Sequence, residues 1–395
     1  MKLLFLVDAP NQSVGGHSVS FRDISNALLD QGHAVDVVTQ KGSHLIQIVD
    51  PKVKTHLVQQ WRKLSGYWIV GRLISKLIYH NRYDAVMSMN RIGAFHASIP
   101  CAKYKTPLIQ IIPGGPARYI KFLFRSSRII SFSSEIRDAL VKDLGWPSDD
   151  VIVCPARHDL KPLLPPDGYQ YRPHSPLRIA WLSRLHEQKR RAFEHFLEQL
   201  SGLDSTYTGP VEVKIYGDGD DEKNWVDLVS KTNFSERIEI IFKGYHKVNG
   251  DFLREHDLVI AQGRGIIEAI VAGVPVAVCG ESGYIGRVTR KNIDYLERTN
   301  FTGRSIACSL STLNIDLIDI QNHLATQNEV SCLQKISHDR YDVTTLINVL
   351  LDEIQSKNVF SGWIPCSGSA LQCVMQNILD ILRIRNGPRA WSRIK

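Results

Sequence analysis

With 395 residues, 43% hydrophobic and 22% charged, the chain is long enough for two globular domains with separate cores. Its formal charge of +8 suits anionic partners, but reads as too dispersed for a nucleic-acid protein, and no RNP, zinc-finger or helix-turn-helix pattern is present. The seven cysteines are an odd number without a Cys-x-x-Cys pair and several lie in apolar runs such as Val278-Cys279, the pattern of reduced, buried thiols in a cytoplasmic protein.

Lys2 to Ala9 reads as a buried first strand, because Asp8 cuts the apolar run short of a signal-peptide core. No stretch approaches the roughly eighteen apolar residues that a membrane-spanning helix needs. The expectation is a protein neither exported by that route nor spanning a membrane. A polar loop, Asn11 to His17, carries Gly15-Gly16, where the lack of two Cβ atoms suits either a tight turn or a close approach of backbone to ligand. A helix from about Val19 to Gln31 follows and stops at Gly32-His33. Strands are expected at Ala34 to Thr39, Thr55 to Gln59, Ala85 to Met89, Leu108 to Ile112 and Ile129 to Ser133, with helical patterns between them. That alternation implies a doubly wound parallel α/β sheet. Between the third and fourth strands, Trp61 to His80 sets Trp68, Ile69, Leu73, Leu77 and Ile78 beside Arg62, Lys63, Arg72 and Lys76. It fits a helix packed on the first sheet and equally an anionic membrane surface.

A region rich in proline and polar residues, Pro155 to Pro176, interrupts the periodicity and marks a domain boundary. The alternation then resumes with strand Leu177 to Leu182, helix Arg190 to Leu200, strand Val211 to Tyr216, helix Asp221 to Ser230 and strand Ile238 to Phe242. The expected domains are 1–160, 177–355 and a C-terminal crossover helix with basic tail at 356–395. Ser183 to Arg190 follows a strand and so should lie at the sheet's carboxyl edge, where Arg184 and Lys189 could face a bound anion. Gly217-Asp218-Gly219-Asp220-Asp221 crowds three carboxylates, yet no calcium-loop spacing follows, and no metal is assigned. The stretch Asp257 to Gly286 has the form strand, Gly263-x-Gly265 turn, helix, strand. It places a helix N-terminus at a sheet edge, a ready anion site. Glu268, expected in the first helical turn, would repel a pyrophosphate but could accept two hydrogen bonds from a ribose diol; it could equally be a charge that stabilises the helix end.

GRGIIEAIVAGVPVAV resembles the C-terminal-domain signature of retaining family 4 glycosyltransferases of the GT-B fold, with Glu268-Ala269, Ala272-Gly273 and Pro275-Val276 matching position by position. The family's first glutamate, which touches the donor sugar, has no counterpart; Gln262 and Arg264 stand near its place. The resemblance implies two Rossmann-like domains facing a cleft. It assigns Glu268 to the nucleotide ribose, Arg184 and Lys189 to the donor diphosphate, and Gly15, Gly16, Gly217, Gly263 and Gly265 to backbone around the donor. The implied activity is a metal-independent, hexosyltransferase-like reaction without cofactor, from a nucleotide-sugar donor to a glycan or lipid-linked acceptor, in cell-surface polysaccharide or glycolipid assembly at the cytoplasmic face of the membrane. The family's catalytic histidine is not matched: Pro113-Gly114-Gly115 stands where it would, and neither His17 nor His96 fits the motif. A nucleotide-sugar epimerase of the non-hydrolysing type and an inactive GT-B binding subunit are the alternatives. The final amphipathic segment, Ala370 to Ile384, resembles the helix that in this family crosses back to the first domain.

Overall fold

The computed structural model describes residues 1–7, 15–59, 61, 64–114, 126–203, 207–304, 306 and 309–356. The loop 8–14, Arg62, Lys63, Gly115 and the final helix and basic tail expected beyond 356 lie outside the described residues. The chain divides into two units, one made of Met1–Arg157 and the stretch from Leu346, the other of His158–Thr345.

In the first unit the elements are β1 (Lys2–Val7), α1 (Gly16–Asp30), β2 (Ala34–Gln40), α2 (Leu45–Ile48), β3 (Lys54–Val58), α3 (Leu64–Asn81), β4 (Ala85–Ser88), α4 (Arg91–Tyr104), β5 (Leu108–Ile112), β6 (Arg128–Ser131), α5 (Ser134–Asp138) and β7 (Val151–Val153). The sheet order is β3-β2-β1-β4-β5-β6-β7 and every pairing is parallel. β1 lies inside the sheet with helices on both faces, which is why Leu3 to Val7 is an unbroken apolar run rather than an alternating one. The helices bury single stripes: Phe21, Ile24 and Leu28 of α1, and Val70, Ile74 and Ile78 of α3.

The second unit continues with β8 (Leu177–Leu182), α6 (Glu187–Ser201), β9 (Val211–Tyr216), α7 (Glu222–Lys231), β10 (Ile238–Gly244), α8 (Gly250–Arg254), β11 (Leu258–Ala261), α9 (Arg264–Ala272), β12 (Val276–Gly280), β13 (Gly283–Arg287), α10 (Ile293–Glu297), α11 (Leu313–Gln321) and α12 (His323–Tyr341); α13 (Val343–Gln355) leads out of it. Its sheet runs β10-β9-β8-β11-β12-β13, parallel except for the edge strand β13. An aromatic cluster covers one face, with Phe193 of α6 stacked on Trp225 of α7 at 4.4 Å and Trp181 of β8 stacked on Phe196 at 5.1 Å. The aliphatic α9 covers the other with Ile266, Ile267, Ile270 and Val271. The expected α/β class with two Rossmann-like sheets is therefore what forms.

The division between units falls at residues 157 and 158, near the start of the stretch Pro155 to Pro176, and the rest of that stretch belongs to the second unit. Leu160, Leu163 and Tyr171 are buried in its cores, so the prolines shape a packed excursion rather than a linker. The chain enters and leaves this unit side by side, with His158 N–H donating to Tyr341 O at 3.2 Å and Val343 N–H to His158 O at 2.9 Å. The return comes at Leu346, ten residues before the expected 356. Arg128 explains it: its guanidinium bonds Glu353 of α13 at 2.7 Å and Asp150 at 2.8 Å, tying α13 to the first sheet.

Both sheets reverse direction of build-up once, between β1 and β4 and between β8 and β11. In open α/β sheets the crevice beyond the strands' carboxyl ends at such a point is where ligands bind.

Candidate functional site

At the reversal point of the second unit, the segments following β8 and β11 touch. Lys189, third residue of α6, donates from Nζ to Oε1 of Gln262, which follows β11. Gln262 in turn donates from Nε2 to the carbonyl of Cys279 on β12 at 2.5 Å, so its orientation is fixed by the sheet. Burial, together with the nearby guanidinium groups of Arg184 and Arg304, holds the Lys189 ammonium below the usual lysine range, while Glu281 opposes this. Three cations thus act on one another around this crossing, and like charges held so close favour an anion between them. Arg184 itself is exposed.

Neighbouring loops are locked together by glycines. Gly217 has φ +145, and a Cβ there would lie 1.8 Å from the carbonyl oxygen of Ser183; at Gly219 it would lie 2.2 Å from that of Leu185. The two loops are stitched by Leu185 N–H to Asp218 O at 2.8 Å and Asp221 N–H to Leu185 O at 3.0 Å. Gly217 therefore serves the packing that positions Arg184. The carboxylates beside it are engaged: Asp220 meets His186 at 2.5 Å, which holds its carboxyl below the usual range, and Asp221 pairs with Arg190 at 3.0 Å. No group of three or more His, Cys, Asp or Glu with metal-binding geometry occurs among the described residues.

α9 begins earlier than its sequence suggests. Gly263, at φ +61, is the N-cap and sets the break, so Gly265 lies inside the helix, close against Ala261, rather than in a turn. Glu268 is accordingly the fifth helical residue and not in the first turn, which holds no acid. It forms an i,i+4 ion pair with Arg264, Nε to Oε1 at 2.6 Å, with only 12% and 13% of the two side chains exposed. The first turn is left to backbone N–H groups and Arg264, a better anion site than the sequence promised.

A segment that the sequence gave no reason to single out completes this edge. Asn300 and Phe301 both have positive φ, 54 and 52, an uncommon pair for non-glycine residues. Gly263 N–H donates to Phe301 O at 3.1 Å, and Thr302 O sits where a Cβ on Gly280 would be, 2.3 Å away. This turn brings Arg304 toward Lys189. The only advance sign was Asn300 and Gly303, residue types that accept left-handed backbone.

In the first unit Gly15 caps α1 with φ −100 and Gly16 is its first residue, so neither is there for a left-handed turn. His96 is buried and bonded to Trp61 O at 3.0 Å, with burial pushing its pKa down to about 4; this is a core histidine. His17 is likewise pushed down to about 4 by burial. Cys101, Cys154 and Cys279 are buried free thiols.

Comparisons with known proteins bear on the fold and on the first unit. Residues 14–160 match the family model described as Glycosyltransferase Family 4. No curated protein matches the chain. Among solved structures, Anabaena HepE in complex with UDP-glucose superposes with a TM-score of 0.65 at 17% identity, covering 90% of this chain and 100% of that one. A glycosyltransferase from Rickettsia africae gives 0.66 at 14% identity, covering 90% and 99%. MurG of Acinetobacter baumannii gives 0.54 at 12%, covering 89% and 100%. The chain thus has the GT-B fold, and its first unit is similar to glycosyltransferases of family 4.

Proposed function

We propose that the chain is a GT-B glycosyltransferase that moves a hexosyl group from a nucleotide-sugar to a glycan or lipid-linked acceptor, with retention and without a metal ion. Its setting in this reading is cell-surface polysaccharide or glycolipid assembly at the cytoplasmic face of the membrane. The observation that carries it is the meeting of Lys189 with Gln262 at the reversal point of the second sheet, beside Arg184, Arg304 and the acid-free first turn of α9. The presence of UDP-glucose in the similar HepE structure supports the donor class.

In the reaction, the bond from the anomeric carbon to the diphosphate oxygen breaks and one to the acceptor oxygen forms. The acceptor's proton goes to the departing diphosphate, so no histidine base is required. Negative charge gathers on the diphosphate as it leaves, and fixed cations at Arg184 and Lys189 stabilise that charge more than the ground state. Glu268 accepts the ribose hydroxyls from its place one turn above the phosphate end, oriented by Arg264. Gly15 and Gly16 give a donor close access to the start of α1. The engagement of Asp220 and Asp221 by His186 and Arg190 supports a metal-free site.

Incubation with a panel of nucleotide-sugars and acceptors tests this. Acceptor-dependent release of nucleoside diphosphate, unaffected by EDTA, is the expected result. Isomerised sugar would indicate an epimerase, and binding without turnover a non-catalytic subunit. Loss of activity on chelation, restored by magnesium or manganese, would make the Asp218-Asp220-Asp221 loop a metal site.

A further inference from the structure

The axis of α9 orders a donor along the second unit. In the transferase reading Glu268 meets the ribose, while Arg184, Lys189 and the first turn of α9 meet the diphosphate. Glu268 lies roughly 6 Å of helical rise beyond Arg264, and Gln262 stands on the other side of the helix start. The diphosphate of a nucleotide-sugar separates its ribose from its hexosyl group. The sugar therefore falls past the N-terminus of α9, at Gln262 and the turn that carries Arg304.

The side chains around that place donate hydrogen bonds and leave little to accept them. Gln262 has both ends of its amide engaged, Oε1 by Lys189 and Nε2 by the Cys279 carbonyl at 2.5 Å. The turn is pressed down over it: Gly263 N–H donates to Phe301 O at 3.1 Å, and Thr302 O fills the space of a Cβ on Gly280. The chain then passes Gly303, at φ +72, to Arg304, which is half-buried and whose charge is felt at Lys189. One acid, Glu281, also acts on Lys189 from an exposed position after β12, and does not offset burial and the two guanidinium groups.

Lysine and arginine carry N–H donors and no acceptor. A neutral hexosyl group presents hydroxyls, whose protons need acceptors that Lys189 and Arg304 lack. A carboxylate needs only donors, matches the fork of a guanidinium, and relieves the repulsion among clustered cations. The diphosphate brings two negative charges to Arg184, Lys189 and Arg304, and a sugar carboxylate brings a third.

We propose that the donor is a nucleoside diphospho-uronic acid, its sugar carboxylate held by the guanidinium of Arg304 beside Gln262. The inference deepens the transferase reading and rests on it for the course of the donor. Arg304 is in this account the residue that sets donor specificity.

Calorimetry on the full-length protein tests it with two matched pairs, UDP-glucuronate against UDP-glucose and GDP-mannuronate against GDP-mannose, with UDP and GDP as references. In at least one pair the uronate should bind about tenfold or more tightly than its neutral counterpart, the effect of a charge-assisted contact. Arg304→Gln should bring the two donors to equal affinity, and Arg304→Lys, which keeps the charge without the fork, should retain part of the preference. Gln262→Glu sets a carboxylate beside Lys189 and should turn the preference toward the neutral sugar, a second reading that holds even where Arg304→Gln lowers the melting temperature. A parent that binds UDP or GDP but takes neutral donors as tightly as uronates overturns this inference alone. A uronate preference that survives in Arg304→Gln overturns it too. Binding of no donor and neither diphosphate overturns the transferase reading along with it.

Discussion

The two units share a sheet topology and use it differently. In the second, the reversal point gathers unlike parts: a half-buried lysine, a glutamine fixed by the sheet, glycines without room for a methyl group, and a turn with two consecutive left-handed residues. In the first, the described surface with most chemical character lies on the outer helices, where cations and exposed apolar side chains crowd together. The same scaffold can thus hold geometry at its strand ends or present composition on its outer helices. The first use requires strain and close packing, the second only exposure, and substitutions should separate them.

The largest effect should come where loops are locked. Gly217→Ala puts a methyl group into the Ser183 carbonyl at a backbone angle that disfavours side chains, and should destabilise the second unit by about 3 kcal/mol or more. Urea unfolding measures it; a change below about 1 kcal/mol would mean that the loops are not held as described. Next, Arg184→Ala and Lys189→Ala should each lower turnover about 10²-fold, with folding retained. Steady-state kinetics distinguishes this from a loss confined to KM, which would assign both cations to ground-state binding alone. Glu268→Gln replaces charge-assisted hydrogen bonds by neutral ones and should weaken nucleoside diphosphate binding by about 1.5–3 kcal/mol. Unchanged affinity would leave Glu268 only its pairing with Arg264.

Acid should affect both units alike. His96 in the first and His256 in the second are held by burial at about 4, below the unfolded value of 6.5. Between those values the unfolded chain binds more protons, so stability is full above 6.5 and falls as pH drops toward 4. Thermal melts from pH 7 to 4.5 should show the midpoint falling, and His256→Gln should flatten the slope. At the small end, Trp68→Ser should change stability by less than about 0.5 kcal/mol, because the residue is 79% exposed. A larger loss would return the side chain to the fold.

Much of this was legible in advance because strand and helix periods are local. β5, β8 and β9 have the bounds that their apolar runs suggest, and Gly273 ends α9 in the left-handed conformation expected of a C-terminal glycine. α4 was visible only as a connection between strands, since Gly93, Ala97 and Pro100 are buried against neighbours and leave no clear polar stripe. The antiparallel β13 hid behind Gly283 and Gly286. Glu268 was placed a turn too early because the break at Gly263 depends on the Phe301 carbonyl, nearly forty residues away. Gln262, Arg304 and the Asn300-Phe301 turn could not be assigned because their meaning lies in contacts between distant segments. Resemblance singled out Arg184 and Glu268, and was silent where the motif was shortened.

The central claim is that the reversal point of the second sheet holds a nucleoside diphosphate. Calorimetric titration of the protein with uridine, guanosine and adenosine diphosphates, repeated with Lys189→Ala, tests it most directly. At least one diphosphate should bind, in preference to its nucleoside, with affinity reduced tenfold or more in Lys189→Ala, a loss of about 1.4 kcal/mol. Absence of binding by all three, or equal binding by parent and variant, would contradict it.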